Sequence, residues 1–420
     1  METKKKGFPA AFWVCACTEI FERLAYYLGR SLILIFVTAS VATGGLGLSD
    51  TVAANMQSNL TAFSYLLPLF GAVIVDKYIG ARYTTPVGMF IAAAGYFTGG
   101  IAKSSAGVYA MIFLVSLGLA LFKNGAIIGR VITDKSQMDP AFSMRYTLVN
   151  VGAFIGTFLV GILYKDVFAK DGVLGFAPCF KMAALMMVLG GLWYIFVCWR
   201  FLGDLGKLPF KKTLTEEEKA AEAKKKEEKG TKQPLTTIEK KRIGAIFVAS
   251  LFSIVFWIFW YLGYMPVYFY WAENMDWVVA GYQVPSTWFD AANSLFCVIL
   301  GPVTAALWKK LAARPQGDMS LFRKTGLGIA IIGVGYLFYA AIDIMRGGEK
   351  ASVLWLIVFA FLLTMGEMFF SPLGHSFISK YSPSRYLAVM MSVWDLQHLL
   401  QQRVMVRYMD CCLAERLNSK

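Results

Sequence analysis

The residues of this 420-residue chain that could carry chemistry lie inside an apolar segment near its amino terminus. That segment, CTEIFERLAYYLGRSLILIF (residues 17–36), contains Glu19, Glu22, Arg23 and Arg30. A charge at the centre of a bilayer costs about 2.5–3.5 kcal/mol on insertion scales, whereas each Leu, Ile or Phe returns only about 0.3–0.6 kcal/mol. These charges must therefore face protein or water and find partners, which indicates acid–base or ion-binding chemistry.

Helical spacing predicts how these charges meet. Glu19 and Arg23 are four residues apart, so we expect them to form an ion pair. Arg23, Tyr27 and Arg30 continue the same helical face, and Glu22 begins a neighbouring stripe. The alternative is a static ion-pair network that only fixes packing.

Two more charges stand inside other apolar segments. Lys123 lies in LGLALFKNGAIIG, and Glu367 lies in GEMFFSPLG. The ammonium of Lys123 could join the acid–base cluster or reach the basic membrane end near Arg130, about 10 Å along the helix. A lone buried carboxylate such as Glu367 favours its neutral form until an opposite charge arrives. This predicts that Glu367 binds an ammonium group.

The composition places these segments in a membrane. Hydrophobic residues make up 57% of the chain and charged residues only 16%, and the mean hydropathy is +0.55. A soluble domain is about 25% charged, and a disordered chain is poor in apolar residues. Apolar runs of about 20 residues are long enough to span a bilayer as helices. We predict an all-α polytopic membrane protein with spans at about 10–37, 51–75, 83–102, 106–130, 141–164, 178–202, 243–271, 286–308, 322–344 and 352–380.

The net charge of +14 follows loop position. Lys and Arg concentrate in alternate loops, whereas the loops at 38–50 and 273–287 contain neither. An excess of Lys and Arg in every second loop is typical of a membrane protein whose basic loops lie in the cytoplasm. The positive charge therefore does not indicate nucleic-acid binding. We therefore expect a multi-pass protein of the cell membrane, with its amino terminus in the cytoplasm and the lipid bilayer as its surroundings. The charges in the first apolar segment argue against a cleaved signal peptide.

A charged segment divides the chain. We predict a six-helix bundle over 1–202, a cytoplasmic linker over 203–241 and a partial second bundle over 242–396. Two bundles joined in this way are typical of major facilitators, whose sites lie near the membrane midplane. An eleventh apolar segment begins at 385 and gives way to an atypical polar tail, 397–420. We interpret the second bundle as incomplete, through truncation or a frameshift, with a peripheral amphipathic tail as the alternative.

Other kinds of site find no support in the sequence. The seven cysteines form no paired CxxC pattern, and the two histidines, His375 and His398, show no HxxxH spacing, so we predict no metal site. The glycine pairs lack the strand–turn–helix setting of a nucleotide loop. We expect no cofactor and no enzymatic activity.

The first apolar segment resembles a family signature. Residues 19–27, Glu-x-x-Glu-Arg-Leu-x-Tyr-Tyr, are similar to the ExxER[FL]xYY motif of the proton-dependent oligopeptide transporters. Further segments resemble the same family, so that the likeness covers about 10–396. They are YLLPLFGAVIVDKYIGARY (65–83), LGLALFKNGAIIG (117–129), FSMRYTLVNVGAFIG (142–156), VPSTWFDAANSLFCVILGP (284–302) and GEMFFSPLGHSFISKYSPSR (366–385).

The resemblance implies a major facilitator fold and proton-coupled import of di- and tripeptides by alternating access, carried out by a monomer. It also implies residue roles. The proton-coupling group would be Glu19, Glu22, Arg23 and Lys123. The residues that bind peptide would be Arg23, Tyr26, Tyr27, Arg30, Tyr65, Lys123, Asn150, Trp257, Asn293, Glu367, Ser371 and Trp394.

The chain departs from the family pattern in its seventh span. The family commonly carries a carboxylate there, about one turn after the tryptophan, which pairs with the arginine matching Arg30. After Trp257 this chain has no acid until Glu273. Two alternatives therefore stay open: the same fold carrying another small solute such as nitrate, and a non-transporting homologue.

Overall fold

The structure is a computed structural model that describes residues 8–132, 138–209, 236–264, 266–312, 314–316, 319–370 and 404. Within these ranges it leaves out the side chains of residues 76, 77, 126, 138–140, 142, 143, 266, 268, 269, 305, 309, 312, 321 and 370. The chain forms two compact units, 1–213 and 214–420. Each unit is described by itself.

The first unit is helical, with α1 at its centre. Helix α1 packs against α2, α5, α6 and α7, while α3 packs against α4 and α7. A 3₁₀ turn at Val41–Thr43 and a π-helical turn at Leu163–Val167 complete the unit. The helices are α1 (Ala10–Thr38), α2 (Asp50–Lys77), α3 (Ala81–Ile101), α4 (Ser105–Leu121), α5 (Asn124–Val131), α6 (Met138–Ile162) and α7 (Phe176–Arg200).

The second unit is also helical, apart from four two-residue strands in its described part. Helix α12 packs against both α10 and α11, and α8 packs against α11. The helices are α8 (Thr237–Leu262), α9 (Pro266–Asn274), α10 (Trp288–Ala312), α11 (Leu321–Met345) and α12 (Leu354–Phe370). The strands are β1 (Met275–Asp276), β2 (Val278–Val279), β3 (Tyr282–Gln283) and β4 (Ala351–Ser352).

The lengths and composition of these helices fit a membrane. Six of the described helices are long and apolar enough to cross one: they lie in α2, α6, α7, α8, α10 and α11. Large apolar side chains such as Trp199, Leu337 and Ile344 are more than two-thirds exposed. Such exposure is costly in water and typical of side chains that face lipid. The predicted all-helical membrane fold is confirmed.

The predicted fourth span, 106–130, is not one helix. Helix α4 ends at Leu121, Phe122 adopts an extended ψ of 103°, and α5 begins at Asn124. The break leaves the amide of Lys123 outside the helical ladder, and the Thr85 hydroxyl accepts its hydrogen bond at 3.3 Å. Hydropathy does not register this break, because both flanking segments are apolar.

The predicted seventh span, 243–271, differs at both of its ends. Helix α8 begins earlier, because Thr236 and Glu239 form a reciprocal capping box across its first turn. It ends at Leu262, and a separate helix, α9, begins at Pro266. Proline has no amide hydrogen to donate and disfavours a helical residue before it, so it begins α9 rather than continuing α8.

Polar contacts attach α9 to the end of α11. The Tyr270 hydroxyl donates to Asp343 Oδ1 at 2.5 Å, and Arg346 Nε donates to the same oxygen at 2.6 Å. Arg346 also donates to the Tyr270 hydroxyl at 2.9 Å. Strands β1 and β4, which follow α9 and α11, pair in parallel. The short helix is thus held at the end away from the break.

Helices α3 and α4 meet at two glycines. A Cβ placed on Gly118 would lie 2.4 Å from the carbonyl oxygen of Gly88, and a Cβ on Gly88 would lie 2.4 Å from the carbonyl oxygen of Gly118. Small residues at such crossings let membrane helices approach closely. The backbones therefore touch where any side chain would separate them.

This contact predicts that Gly118→Val destabilises the protein. Overpacking costs about 1–3 kcal/mol, and here the obstacle is backbone rather than a flexible side chain. We expect a clearly lower apparent melting temperature of the purified protein in detergent. The matched control is Gly333→Val on α11, where a Cβ would meet no atom within 4 Å. Equal melting temperatures for the two variants would contradict the close α3–α4 packing.

Candidate functional site

Two buried carboxylates of α1 are each paired with an arginine. Glu22 accepts hydrogen bonds from Arg23 through both Nε and Nη2, the latter at 2.7 Å. Glu19 accepts one from Arg145 Nε of α6 at 2.8 Å. The carboxylate side chains are 0% and 2% exposed, whereas those of Arg23 and Arg145 are 27% and 30% exposed. The acids are enclosed, and an incoming anion would meet the arginines first.

The ion pair expected between Glu19 and Arg23 is wrong. Arg23 pairs instead with the adjacent Glu22, and Glu19 pairs with Arg145, a residue 126 positions further along the chain. Helical spacing shows only which side chains of one helix can meet. Helix α6 packs against α1 and offers Glu19 a different partner.

The break after α4 supplies a second donor to Glu19. Asn124, the first residue of α5, donates through Nδ2 to the Cys15 carbonyl at 2.9 Å and to Glu19 Oε1 at 3.1 Å. A Cβ at the next residue, Gly125, would lie 3.2 Å from Cζ of Arg145. Asn124 therefore binds Glu19, and Gly125 leaves room for the guanidinium of Arg145.

Sequence reasoning missed Arg145 and Asn124. The signal was present for Arg145, since it is a charge within the predicted fifth span, 141–164, as Glu19 and Arg23 are in the first. Asn124 follows the predicted site residue Lys123 directly, but only the helix break turns its amide toward α1.

Lys123 lies at the break between α4 and α5 and extends toward α2. Its Nζ donates a hydrogen bond of 2.9 Å to the Pro68 carbonyl. This bond joins the α4–α5 break to α2, while the hydrogen bonds of Glu19 join α1 to α5 and α6.

Aromatic rings lie beside both arginines of α1. Arg23 lies over the ring of Tyr26 at 4.9 Å, and Arg30, which is buried, lies over Tyr27 at 5.8 Å. The two tyrosine rings meet edge to face at 5.4 Å. These contacts are cation–π interactions, in which the face of an aromatic ring attracts the positively charged guanidinium.

Two other predicted residues of the first unit lie outside this network of ion pairs. Tyr65 of α2 is 42% exposed. Asn150 of α6 donates to the Tyr146 carbonyl of its own helix at 3.0 Å and is only partly buried. Both side chains can be reached by a ligand.

The second unit holds a polar site around Glu367 of α12. Asn293 of α10 donates through Nδ2 to Glu367 Oε2 and to Thr364 Oγ1, both at 2.9 Å. The Trp260 indole of α8 and the Cys297 thiol of α10 lie beside the carboxylate. Three helices therefore surround one buried acid. The predicted residues Asn293 and Glu367 are brought together.

An aromatic wall adjoins this acid. The Trp257 ring lies 5.5 Å from that of Trp260 and 6.1 Å from that of Tyr261. Tyr261 is buried one turn after Trp257, where the resemblance led us to expect a carboxylate. An aromatic side chain thus stands where the resemblance predicts a charged one.

The described ranges exclude some of the predicted site. Ser371, Trp394, the eleventh apolar segment, most of 203–241 and all of the tail 397–420 but residue 404 lie outside them. In the part of the chain that the structure covers, no three His, Cys, Asp or Glu side chains converge as metal ligands.

Comparison with known proteins identifies the family. The family model described as POT family matches residues 205–410. A di-/tripeptide transporter of Lactococcus lactis subsp. cremoris is 24% identical over an alignment that covers 95% of this chain and 88% of the relative. The resemblance to the POT family that the first-span motif predicted is confirmed by this match and by the relative. The apolar helices and the similarity to transporters make the chain a multi-pass membrane protein.

Solved structures confirm the fold of this chain. A peptide transporter POT in complex with sulfate matches with a TM-score of 0.84 and 24% identity, over 97% of this chain and 90% of that one. A POT family transporter in complex with 5-aminolevulinic acid matches with a TM-score of 0.83 and 23% identity, over 97% and 92%. The predicted major facilitator architecture is thereby confirmed.

The two hydrogen bonds of Asn124 predict that Asn124→Ala destabilises the protein. The change removes a donor from a buried carboxylate, which costs about 1–3 kcal/mol. We expect a lower apparent melting temperature in detergent. Asn150→Ala is the matched control, because the Asn150 amide bonds a carbonyl of its own helix. If the two variants melt together, Asn124 does not join α5 to α1.

Proposed function

We propose that the chain is a proton-coupled symporter that imports di- and tripeptides by alternating access. One observation carries this proposal. Helix α1 holds two enclosed carboxylates whose arginine partners have partly exposed side chains, which an incoming anion could contact. A static ion pair that only fixed packing would have no need of this exposure.

The coupling step follows from the Glu22–Arg23 pair. A peptide carboxylate that approaches Arg23 competes with Glu22 for the same guanidinium. Once Arg23 turns to the substrate, Glu22 is a carboxylate without its counter-ion in a site that is 0% exposed, and uptake of a proton removes that charge. Return of Arg23 to Glu22 would then release the proton. Lys123 adds a positive charge that can take part in the same exchange.

We assign the charged groups of a peptide to residues of each unit separately. In the first unit, we assign the substrate carboxylate and backbone to Arg23, Tyr26, Tyr27, Arg30, Tyr65, Lys123 and Asn150. In the second unit, Glu367 would bind the ammonium group, Asn293 would orient Glu367 and contact the backbone, and Trp257 would contact a side chain. Ser371 and Trp394 keep the roles that the resemblance predicts.

Related proteins support a ligand with two charged ends. The Lactococcus relative carries the name of a di-/tripeptide transporter, and 5-aminolevulinic acid, bound to one structural neighbour, is an amino acid. Both ligands combine an ammonium group with a carboxylate. A second candidate cargo is a small solute such as nitrate. It is favoured by the single observation that the buried Tyr261 stands where an acid was expected.

The remaining parts of the proposal concern the location, the oligomeric state and the domain organisation of the protein. We place the protein in the cell membrane with its amino terminus in the cytoplasm, working as a monomer. We propose a six-helix bundle over 1–202 and a partial second bundle over 242–396, a division that the two compact units, 1–213 and 214–420, support. We propose that the residues between them, within 203–241, form a cytoplasmic linker.

The coupling role predicts that Glu22→Gln separates two activities in reconstituted liposomes. Proton-driven accumulation of a dipeptide should be lost, because the amide cannot exchange a proton. Counterflow exchange should persist, since it needs no net proton movement. The exposed loop substitution Glu349→Gln should retain both activities. Accumulation driven by a pH difference in Glu22→Gln would show that Glu22 is not the coupling residue.

The second-unit site predicts that Glu367→Gln discriminates between ligands. Loss of one half of a desolvated charge pair typically costs about 2–5 kcal/mol, or roughly 30-fold to several thousand-fold in affinity. Calorimetry should show this loss for an ordinary dipeptide and almost none for its amino-acetylated form. Equal losses would make Glu367 structural. Wild-type protein that binds neither ligand would favour the second candidate cargo or a non-transporting homologue.

A further inference from the structure

The Glu19–Arg145 pair is an acid–base pair within the membrane that the resemblance does not assign. Arg145 lies in α6, next to Met144, where the candidate membrane span of that helix begins. Its guanidinium approaches α1 through Nε, at 2.8 Å from Glu19 Oε1. A charge at this place must be partnered, and the partner is a residue of the proposed coupling motif.

The two acids of α1 are held in different ways. Glu19 accepts hydrogen bonds from two other helices, from Arg145 of α6 and from Asn124 of α5. The hydrogen bonds that Glu22 accepts in the described part of the chain all come from Arg23, the next residue of its own helix. If Arg145 turned away, Glu19 would keep its hydrogen bond from Asn124. If Arg23 turned away, Glu22 would lose both of its hydrogen bonds.

The surroundings of Arg145 also confine it. The carbon of its guanidinium lies 3.2 Å from where a Cβ of Gly125 would be, so the group fills the space that glycine leaves. The side chains of the two arginines are exposed to a similar extent, 27% for Arg23 and 30% for Arg145. They differ in what they join: Arg145 connects α6 to α1, whereas the hydrogen bonds of Arg23 in the described part of the chain, and its contact with the Tyr26 ring, lie within α1. A change of partner by Arg23 therefore breaks no hydrogen bond between helices.

The ionisable groups around Glu19 come from several helices. Lys123 stands at the α4–α5 break beside the neutral Asn124 and donates to the Pro68 carbonyl of α2. Tyr65 of α2 lies within electrostatic range of Tyr27, and Tyr96 of α3 within range of Glu22. On α1, α6 and α7 the ionisable groups in or next to the cluster are Cys15, Glu22, Arg23, Arg145, Tyr194 and Cys198. Arg145 is the cation of this set that bonds to Glu19.

We propose that Arg145 is a positioning residue for proton coupling: it holds Glu19 as a carboxylate and so confines proton uptake to Glu22. This inference rests on the proposed function for its meaning in transport, but its chemical content concerns only which acid takes up a proton. One fixed pair and one exchangeable pair then have their acids three residues apart on a single helix, each with its own arginine.

The step is a simple proton transfer. A hydronium ion transfers a proton to a carboxylate oxygen of Glu22 when Arg23 leaves it, and water remains. When Arg23 returns, the same O–H bond breaks and the proton passes to a water molecule, which becomes hydronium. Glu19 takes no part while Arg145 and Asn124 both donate to it. Without Arg145, Glu19 would be a buried carboxylate with one neutral donor, which favours its protonated form.

Infrared difference spectroscopy of the purified full chain in lipid vesicles tests this assignment directly. The carbonyl band of protonated carboxyl groups is followed as the pH falls. We expect a band that is lost in Glu22→Gln and retained in Glu19→Gln. Arg145→Met should add a band at neutral pH that disappears in the double variant Glu19→Gln/Arg145→Met. Arg145→Lys, which keeps the charge, should not add it.

Two results would overturn the proposal. One is a wild-type band that Glu19→Gln removes at higher pH than the band that Glu22→Gln removes. The other is an Arg145→Met spectrum identical to that of the wild type. The first comparison needs no substitution at Arg145, so it decides the matter even if Arg145→Met does not fold.

Transport assays give a second, separate readout. Proton-driven dipeptide uptake should fall roughly tenfold or more in Arg145→Met, which corresponds to about 1.4 kcal/mol, and recover largely in Arg145→Lys. Loss in both variants would indicate that the shape of Arg145, rather than its charge, is needed, and would contradict the proposal. A wild type that transports no peptide would refute the proposed function, while the infrared comparison would still decide the role of Arg145.

Discussion

The first unit depends on the pairing of buried charges on α1. Glu19 and Glu22 lie in the central helix of the unit and are almost fully enclosed, so each needs a cation and further donors in low dielectric. The packing of neighbouring helices meets this need. Helix α6 supplies Arg145, α5 supplies Asn124, and Gly125 leaves room for the guanidinium. An apolar α1 would place no such demands on its neighbours.

Interrupted helices accompany the polar sites in both units. In the first unit, the break between α4 and α5 lies at Lys123 and brings Asn124 to Glu19. In the second unit, α8 ends at Leu262, less than one turn after Trp260, which lies beside Glu367. Irregular backbone is tolerated in membranes where it is buried in protein or lines a cavity. The breaks thus place polar groups where continuous helices would leave only apolar faces.

The second unit uses one acid where the first uses several charges. Glu367 is held by Asn293 of α10 and surrounded by the aromatic side chains of α8. With Tyr261 in place of the expected carboxylate, the site described there offers a single negative charge and large hydrophobic surfaces.

The sequence by itself determined the class, the family and most helices of this protein. Long apolar runs can exist in lipid only as helices or barrels, and the order of acids, arginine and tyrosines in residues 19–27 is specific enough to indicate the family. The sequence also named Glu19, Glu22, Arg23, Asn293 and Glu367, because buried charges and amides in apolar runs stand out. Only the tertiary structure decided which charges pair. The partner of Glu19 is Arg145 rather than Arg23, since packing of α6 on α1 places a distant arginine nearer than the one on the same helix. The breaks at Lys123 and before Pro266 were likewise invisible to hydropathy, which averages over apolar residues and does not detect where the backbone leaves the helix.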